Sequence, residues 1–240
     1  MTGIRVVLFD LDDTLFAHRE SVESGIRAHR TTLGGAVAAA DHAAEFARWN
    51  ALEEEHYHRY LAGELDFHGQ RRARARGFVA PYGIELDDAG AEAWFEDYLV
   101  EYERTWALHD DVAGCFAAIA PRTLGIITNG DLRFQTAKIV GTGLDAHIPL
   151  DRVVASGEEG VAKPDARIFE LAADRFGVPP AEACYVGDRL HTDAIGAARA
   201  GLLGVWIDRH GVATDEQLAE AAAEGVPVIR TLAELPSLLS

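Results

Sequence analysis

Lysine is almost missing from this chain of 240 residues: Lys138 and Lys163 are the only two, and arginine carries the rest of the positive charge. A task that needs a compact ammonium group therefore has two candidate positions. Positive charge of either kind is scarce, with 22 Lys and Arg against 39 Asp and Glu and a formal net charge of −17. That balance argues against a nucleic-acid or anionic-membrane partner, because both need a basic footprint. It also means that an anionic ligand must be met by a local cation. Cysteine is equally sparse: Cys115 and Cys184 stand alone, neither in a CxxC pair, and read as two buried free thiols. No secretory leader and no apolar run of about 20 residues is present. Together these absences describe a reduced, soluble, cytoplasmic protein, and a hydrophobic content of 48% leaves room for a sizeable core.

Against that background the stretch "VVLFDLDDTLF" (6–16) stands out. Four apolar residues, a buried-strand signal, run directly into Asp10, Asp12 and Asp13. Like charges this close raise one another's pKa and cost folding energy unless a cation or a set of donors compensates. On this reading the acidic neighbours should raise the pKa of Asp12.

From about residue 110 onward, β-rich apolar runs at 122–128, 151–156, 183–188, 204–208 and 226–231 alternate with helical stretches. Such alternation is the mark of an α/β fold, a Rossmann-like parallel sheet with helices on both faces. With residues 6–9 as the first strand the sheet has about six strands, and Gly141 or Gly143, Gly177 and Gly201 sit where helices should stop. Residues 16–106 differ. They are rich in Ala, Glu, Arg and His, with aromatics at helical spacing (Trp49, Tyr57, Tyr60; Trp94, Phe95, Tyr98, Tyr102) that read as core. The expected organisation is a catalytic core of residues 1–15 and 107–240 with a helical domain, 16–106, inserted into it. Within the insertion "TLGG" (32–35) and "PYGIELDD" (81–88) read as breaks, and "RRARAR" (71–76) as a solvated face rather than a greeting for an anionic substrate.

Four signals fall at predicted strand ends, where an open α/β sheet places its ligands: "DLDDT" (10–14), "TNGD" (128–131), Lys163-Pro164 and "GDRLHTD" (187–193). In this order and placement they resemble the haloacid dehalogenase-like hydrolase superfamily, whose phosphatases carry DxDxT, a Thr or Ser ending the second strand, a Lys, and GDxxxxD. The helical insertion matches the type of cap domain that superfamily places between its first two motifs.

The resemblance implies a Mg²⁺-dependent phosphatase acting on a small phosphorylated metabolite through an aspartyl-phosphate. Phosphoryl transfer asks for an in-line nucleophile, a proton for the leaving oxygen, a divalent metal and donors for the equatorial oxygens. Asp10 is the implied nucleophile and Asp12 the acid/base. Asp10, the main-chain carbonyl of Asp12 and Asp188 are the implied metal ligands, with Asp193 behind them. Thr128 and Lys163, bridging nucleophile and phosphoryl group, would bind the phosphate with the N–H groups of Leu11, Asp12, Asn129 and Gly130. Pro164 suits the first turn of the next helix, and Thr14 should hold the loop through its hydroxyl. Asp13 stands where many relatives carry glycine and is given no chemistry. His191 reads as solvent-facing, and Phe16, His18 and Arg133 as shaping the mouth of the site. A dehalogenase would lack the acid at residue 12, and a phosphonatase would need a lysine in the cap, which has none. A sugar-phosphate mutase would share every core motif, and a non-catalytic binding module would be expected to have lost one. A monomer or a homodimer fits equally.

Overall fold

The computed structural model describes residues 3–239. Six parallel strands form one sheet: β1 (Val6–Phe9), β2 (Thr123–Thr128), β3 (Val153–Ala155), β4 (Ala183–Gly187), β5 (Leu203–Ile207) and β6 (Val228–Ile229), in the order β3-β2-β1-β4-β5-β6. This is the Rossmann-like α/β arrangement expected, and all six strands overlap the apolar runs that announced them. All four residues of β1 are buried because the strand is central, with Phe9 opposite Ile126 of β2 on one side and Val186 of β4 on the other. The chain winds outward in one direction through β2 and β3 and in the other through β4 to β6. The crevice at the carboxyl end of β1 therefore lies at the switch point of the sheet, where α/β folds bind ligands.

Close packing dictates small residues in the sheet. A Cβ on Gly125 of β2 would lie 2.3 Å from the Phe176 ring, and one on Gly204 of β5 would lie 2.1 Å from the Ala194 carbonyl oxygen. Of the two glycines expected to stop the helix after β2, Gly141 is its last residue and Gly143 takes the left-handed turn, with φ of 73°. Helix Val112–Ile119 has no counterpart in the sequence reading; it lies in a short, Ala-rich apolar run without strong flanking signals.

The chain divides into two compact units, one formed by the segments up to His18 and from Ala107 onward, the other by Arg19–Trp106. The second unit is helical, and both expected breaks are real: Gly34, Gly35 and Gly83 all have positive φ. Three of its helices begin at an aspartate, Asp41, Asp66 and Asp87, whose carboxylates accept the N–H of Ala44, Gly69 and Gly90. Of the aromatic residues expected in its core, Trp49, Trp94, Phe95, Tyr98 and Tyr102 are buried there, whereas Tyr57 and Tyr60 are half-buried. Trp49 is fully buried, edge-on to Phe78 at 5.4 Å and to Tyr98 at 4.8 Å. The arginine run departs from expectation. Arg74 is buried over the Trp49 ring and pairs with Glu53 at 2.9 Å, Arg72 pairs with Glu92 at 2.8 Å, and Arg76 pairs with Asp88. These guanidinium groups cement the unit through stacking and ion pairs instead of forming a solvated face. Among the described residues no helix is long and apolar enough to cross a membrane.

Candidate active site

The loop that leaves β1 is fixed by its backbone before any side chain matters. Asp10 donates its N–H to Val186 O at 2.8 Å, and Leu15 and Phe16 both donate to Leu11 O, while the fully buried Leu11 side chain anchors the turn. Asp13 has φ of 55°, the left-handed region that glycine enters without steric cost, which is the physical reason a glycine would suit this position. Thr14 is a correction: its hydroxyl is buried without a hydrogen-bond partner, and its carbonyl does the holding by accepting Arg209 Nη2 at 2.6 Å. Arg209 in turn grips both oxygens of Asp111 at 2.9 and 3.0 Å. Burial would raise the Asp111 carboxyl, but bonds from Arg209, Thr231 and Leu232 hold it at about 2.

Asp10 projects into a buried cluster. Lys163 Nζ lies 2.6 Å from Asp10 Oδ1, 2.7 Å from Asp193 Oδ1 and 2.7 Å from the Tyr185 hydroxyl. These contacts match the three hydrogens of an ammonium group, so a phosphoryl oxygen would have to share the cation rather than meet a free N–H, as the expected bridging role requires. Tyr185 was not among the predicted residues. It reads as one more apolar member of β4, although strand alternation places it on the same face as Gly187. Asp193 Oδ2 accepts the Arg189 N–H at 3.0 Å, so both of its oxygens are engaged.

Carboxylate oxygens of Asp10, Asp188 and Asp193 all lie within 4.8 Å of one another. Burial is the largest influence on Asp10 and, with Asp193 and Asp12, outweighs Lys163 to push its carboxyl up to about 7. Burial and the charges of Asp193, Asp10 and Asp13 push Asp188 well above the usual carboxylate range. A set of hard oxygen donors that repel one another fits a divalent cation of the Mg²⁺ type.

Asp193 sits in a π-helical turn, Leu190–Ile195, of the kind that often marks functional sites. It packs so tightly on β4 that a Cβ at Gly187 would fall 2.4 Å from Asp193 Cβ. Gly187→Ala is expected to cost about 1–3 kcal/mol of stability as an overpacked contact and, if the cluster holds a divalent cation, to weaken that binding, checked by denaturant unfolding with and without Mg²⁺.

Asp12 differs from expectation. Its side chain faces helix Leu132–Gly141, where Lys138 Nζ lies 2.6 Å from Oδ1 and Gln135 Nε2 lies 3.1 Å from Oδ2. Burial would raise its pKa, but Lys138, His18 and the bond from Gln135 hold it at about 2. Its immediate electrostatic neighbours are cationic, which is why the expected upward shift is reversed. His18 Nδ1 is 3.8 Å from Asp12 Oδ1, whereas Phe16 is wholly buried and so belongs to the core.

Thr128 ends β2, buried, and its hydroxyl oxygen accepts Gln135 Nε2 at 2.8 Å. Asn129 does more than form a turn: its side-chain amide exchanges two 2.9 Å bonds with the backbone N–H and carbonyl of Lys163. The Gly130 N–H donates to Ser156 Oγ at 3.2 Å, so it is already committed as a donor. Pro164 lies before the helix, whose N-cap is Asp165, and not in its first turn. The Asp188 carbonyl accepts the Trp206 indole N–H at 2.8 Å, which orients the end of β4. His191 is exposed, with Nε2 2.9 Å from Glu220 Oε2.

A parallel α/β sheet whose switch point gathers carboxylates around a buried lysine defines an enzyme of acid-centred chemistry. The family model of the haloacid dehalogenase-like hydrolases matches residues 4–201, and the chain belongs to that family. It is 33% identical over 221 residues to glyceraldehyde 3-phosphate phosphatase of Methanopyrus kandleri, covering 86% of this chain and 84% of that one. It is 43% identical over 122 residues to phosphoserine phosphatase of Thermus thermophilus, covering 50% of this chain and 46% of the relative, less than half its length. Among solved structures, the magnesium-bound HAD-hydrolase YfnB of Bacillus subtilis matches with a TM-score of 0.76 at 21% identity, covering 99% of both chains. L-2-haloacid dehalogenase of Xanthobacter autotrophicus matches with a TM-score of 0.69 at 23% identity over 98% of both. These two likenesses are likenesses of fold.

Proposed function

We propose that this hydrolase is a Mg²⁺-dependent phosphomonoesterase acting on a small phosphorylated metabolite, with Asp10 as nucleophile. The observation that carries the reading is a second carboxylate, Asp12, two residues beyond buried Asp10 and held by donors of its own. Ester hydrolysis needs that acid, whereas a dehalogenase does without it. The phosphatase names of the relatives support the same class.

Asp10 attacks phosphorus, and the ester oxygen departs with a proton passed on by Asp12, which is ionised in the free site and first takes that proton from the monoanionic form of the bound phosphate ester; an aspartyl-phosphate remains. Asp12 then takes a proton from water, whose oxygen attacks phosphorus and frees phosphate and the Asp10 carboxylate. Lys163 holds Asp10 in register. Thr128, which already accepts from Gln135, keeps its own hydroxyl hydrogen to donate to a phosphoryl oxygen, and the N–H groups of Leu11, Asp12 and Asn129 add donors. A Mg²⁺ ion held by Asp10, Asp188 and the Asp12 carbonyl, with Asp193 behind them, would neutralise charge on the phosphoryl oxygens.

The test is phosphate release from a panel of small phosphomonoesters that includes glyceraldehyde 3-phosphate, phosphoserine, sugar phosphates and nucleotides, with Mg²⁺ and with chelator. Metal-dependent release is expected, and the best substrate by kcat/KM identifies the ester class. Folded, metal-loaded protein that releases phosphate from none of them, or that isomerises a sugar phosphate instead, would overturn the reading.

A further inference from the structure

Of the chain's two lysines, the mechanism above uses Lys163 and leaves Lys138 without a part, although it too is buried, 2% exposed. Lys138 and Gln135 lie three residues apart in helix Leu132–Gly141, a spacing that puts both on one face. They divide Asp12 between them: Nζ lies 2.6 Å from Oδ1 and the Gln135 amide donates to Oδ2 at 3.1 Å. The same amide reaches Thr128 Oγ1 at 2.8 Å, so one side chain ties Asp12, after the first strand, to Thr128, at the end of the second. Neither donor has much freedom. Nζ sits 5.1 Å from the ring centroids of both Phe16 and Phe134, and Gln135 passes Gly130 so closely that a Cβ there would lie 3.1 Å from Nε2.

Lysine is the cation this arrangement needs. An ammonium is a point charge that can take one carboxylate oxygen and leave the other to Gln135, whereas a guanidinium fork tends to take both. With its two oxygens on separate, packed donors, the Asp12 carboxylate has little freedom to turn about either side-chain bond. We propose that Lys138 and Gln135 are positioning residues that aim Asp12 at the leaving-group oxygen and set it in register with Thr128. This rests on the phosphomonoesterase reading and adds to it how the acid is oriented.

The test compares kcat/KM for two phosphomonoesters that the wild type turns over, one releasing p-nitrophenolate and one an alkoxide. Loss of a correctly aimed acid is felt by the alkoxide, which must leave with a proton, far more than by the weakly basic nitrophenolate. Lys138→Met is expected to lower kcat/KM for the alkyl ester by about 100-fold, within the range of general acid catalysis, and for the aryl ester by less than about 10-fold. Gln135→Met, which leaves Lys138 and Asp12 paired, is expected to show the same split to a smaller degree. It decides the matter if thermal melts show that Lys138→Met does not fold. Equal losses on both esters in a folded variant, or no loss on either, would overturn the positioning role while leaving the phosphomonoesterase reading intact. Wild-type protein that hydrolyses no phosphomonoester would instead overturn that reading, and this proposal with it.

Discussion

Asp10→Asn is expected to lower phosphate release by about 10⁴-fold or more, the scale on which removing a nucleophile acts when the rest of a site survives. The loss should be one of chemistry and not of folding. Asparagine keeps the size of aspartate and can still accept a hydrogen bond from Lys163 Nζ, now 2.6 Å from Asp10 Oδ1. It also removes one charge from a cluster whose acids lie within 4.8 Å of one another. The variant should therefore melt no lower than the wild type in chelator and should retain phosphate binding, since Thr128 and Lys163 remain. Phosphate release by steady-state assay, with thermal melts and phosphate titration on the same sample, checks all three. Residual release above about one per cent from pure variant would place the nucleophile elsewhere.

The parts of the site legible in the sequence were those fixed by local chain geometry. Strand ends follow from apolar runs that stop, which puts Asp10, Thr128 and Asp188 at the ends of β1, β2 and β4, and the sheet order brings β2 and β4 to either side of β1. The electrostatics were not legible, because they depend on which side chains face one another across long sequence separations. Asp12 illustrates this. Its sequence neighbours are acids and suggested a raised pKa, yet its spatial neighbours are Lys138 and Gln135, 126 and 123 residues away. The rarity of lysine gives both copies a claim on chemistry but does not say which acid each one meets, and "QTAK" carries its polar residues one helical turn apart. Tyr185 was hidden by its surroundings, since nothing in a buried strand announces that one hydroxyl bonds an ammonium from another loop. Thr14 and Arg209 show the same limit: a loop can be held by a carbonyl, and sequence says nothing of carbonyl partners.

The second large effect is the way Mg²⁺ should change the pH dependence of stability. Asp10 is raised from 3.8 to about 7, and Asp188 is raised well above its ordinary value. A carboxyl raised on folding binds protons more tightly in the native state. Its stabilising contribution is therefore complete below its unfolded pKa and is lost as pH rises through the folded value. At about 1.4 kcal/mol per unit, Asp10 alone accounts for a loss of at most about 4 kcal/mol between pH 4 and 7, with Asp188 extending the decline further. Asp12 and Asp111, both held at about 2, act in the opposite sense and withdraw their contribution only as pH falls from about 4 to 2. In chelator the protein should thus be most stable near pH 4 to 5 and melt at progressively lower temperature toward pH 8. A Mg²⁺ ion held as proposed would bind the deprotonated carboxylates, so its stabilisation should grow with pH and offset much of that fall, by about 2.7 kcal/mol at 100 times Kd. Melting temperatures measured with and without Mg²⁺ across pH 5 to 8 give the difference directly, and general charge repulsion largely cancels in that comparison. Asp188→Asn should flatten the slope in chelator and reduce the Mg²⁺ increment together, because one carboxylate is responsible for both. If the increment is the same at pH 5 and pH 8, the cation is held elsewhere and this cluster of acids is stabilised by Lys163 alone.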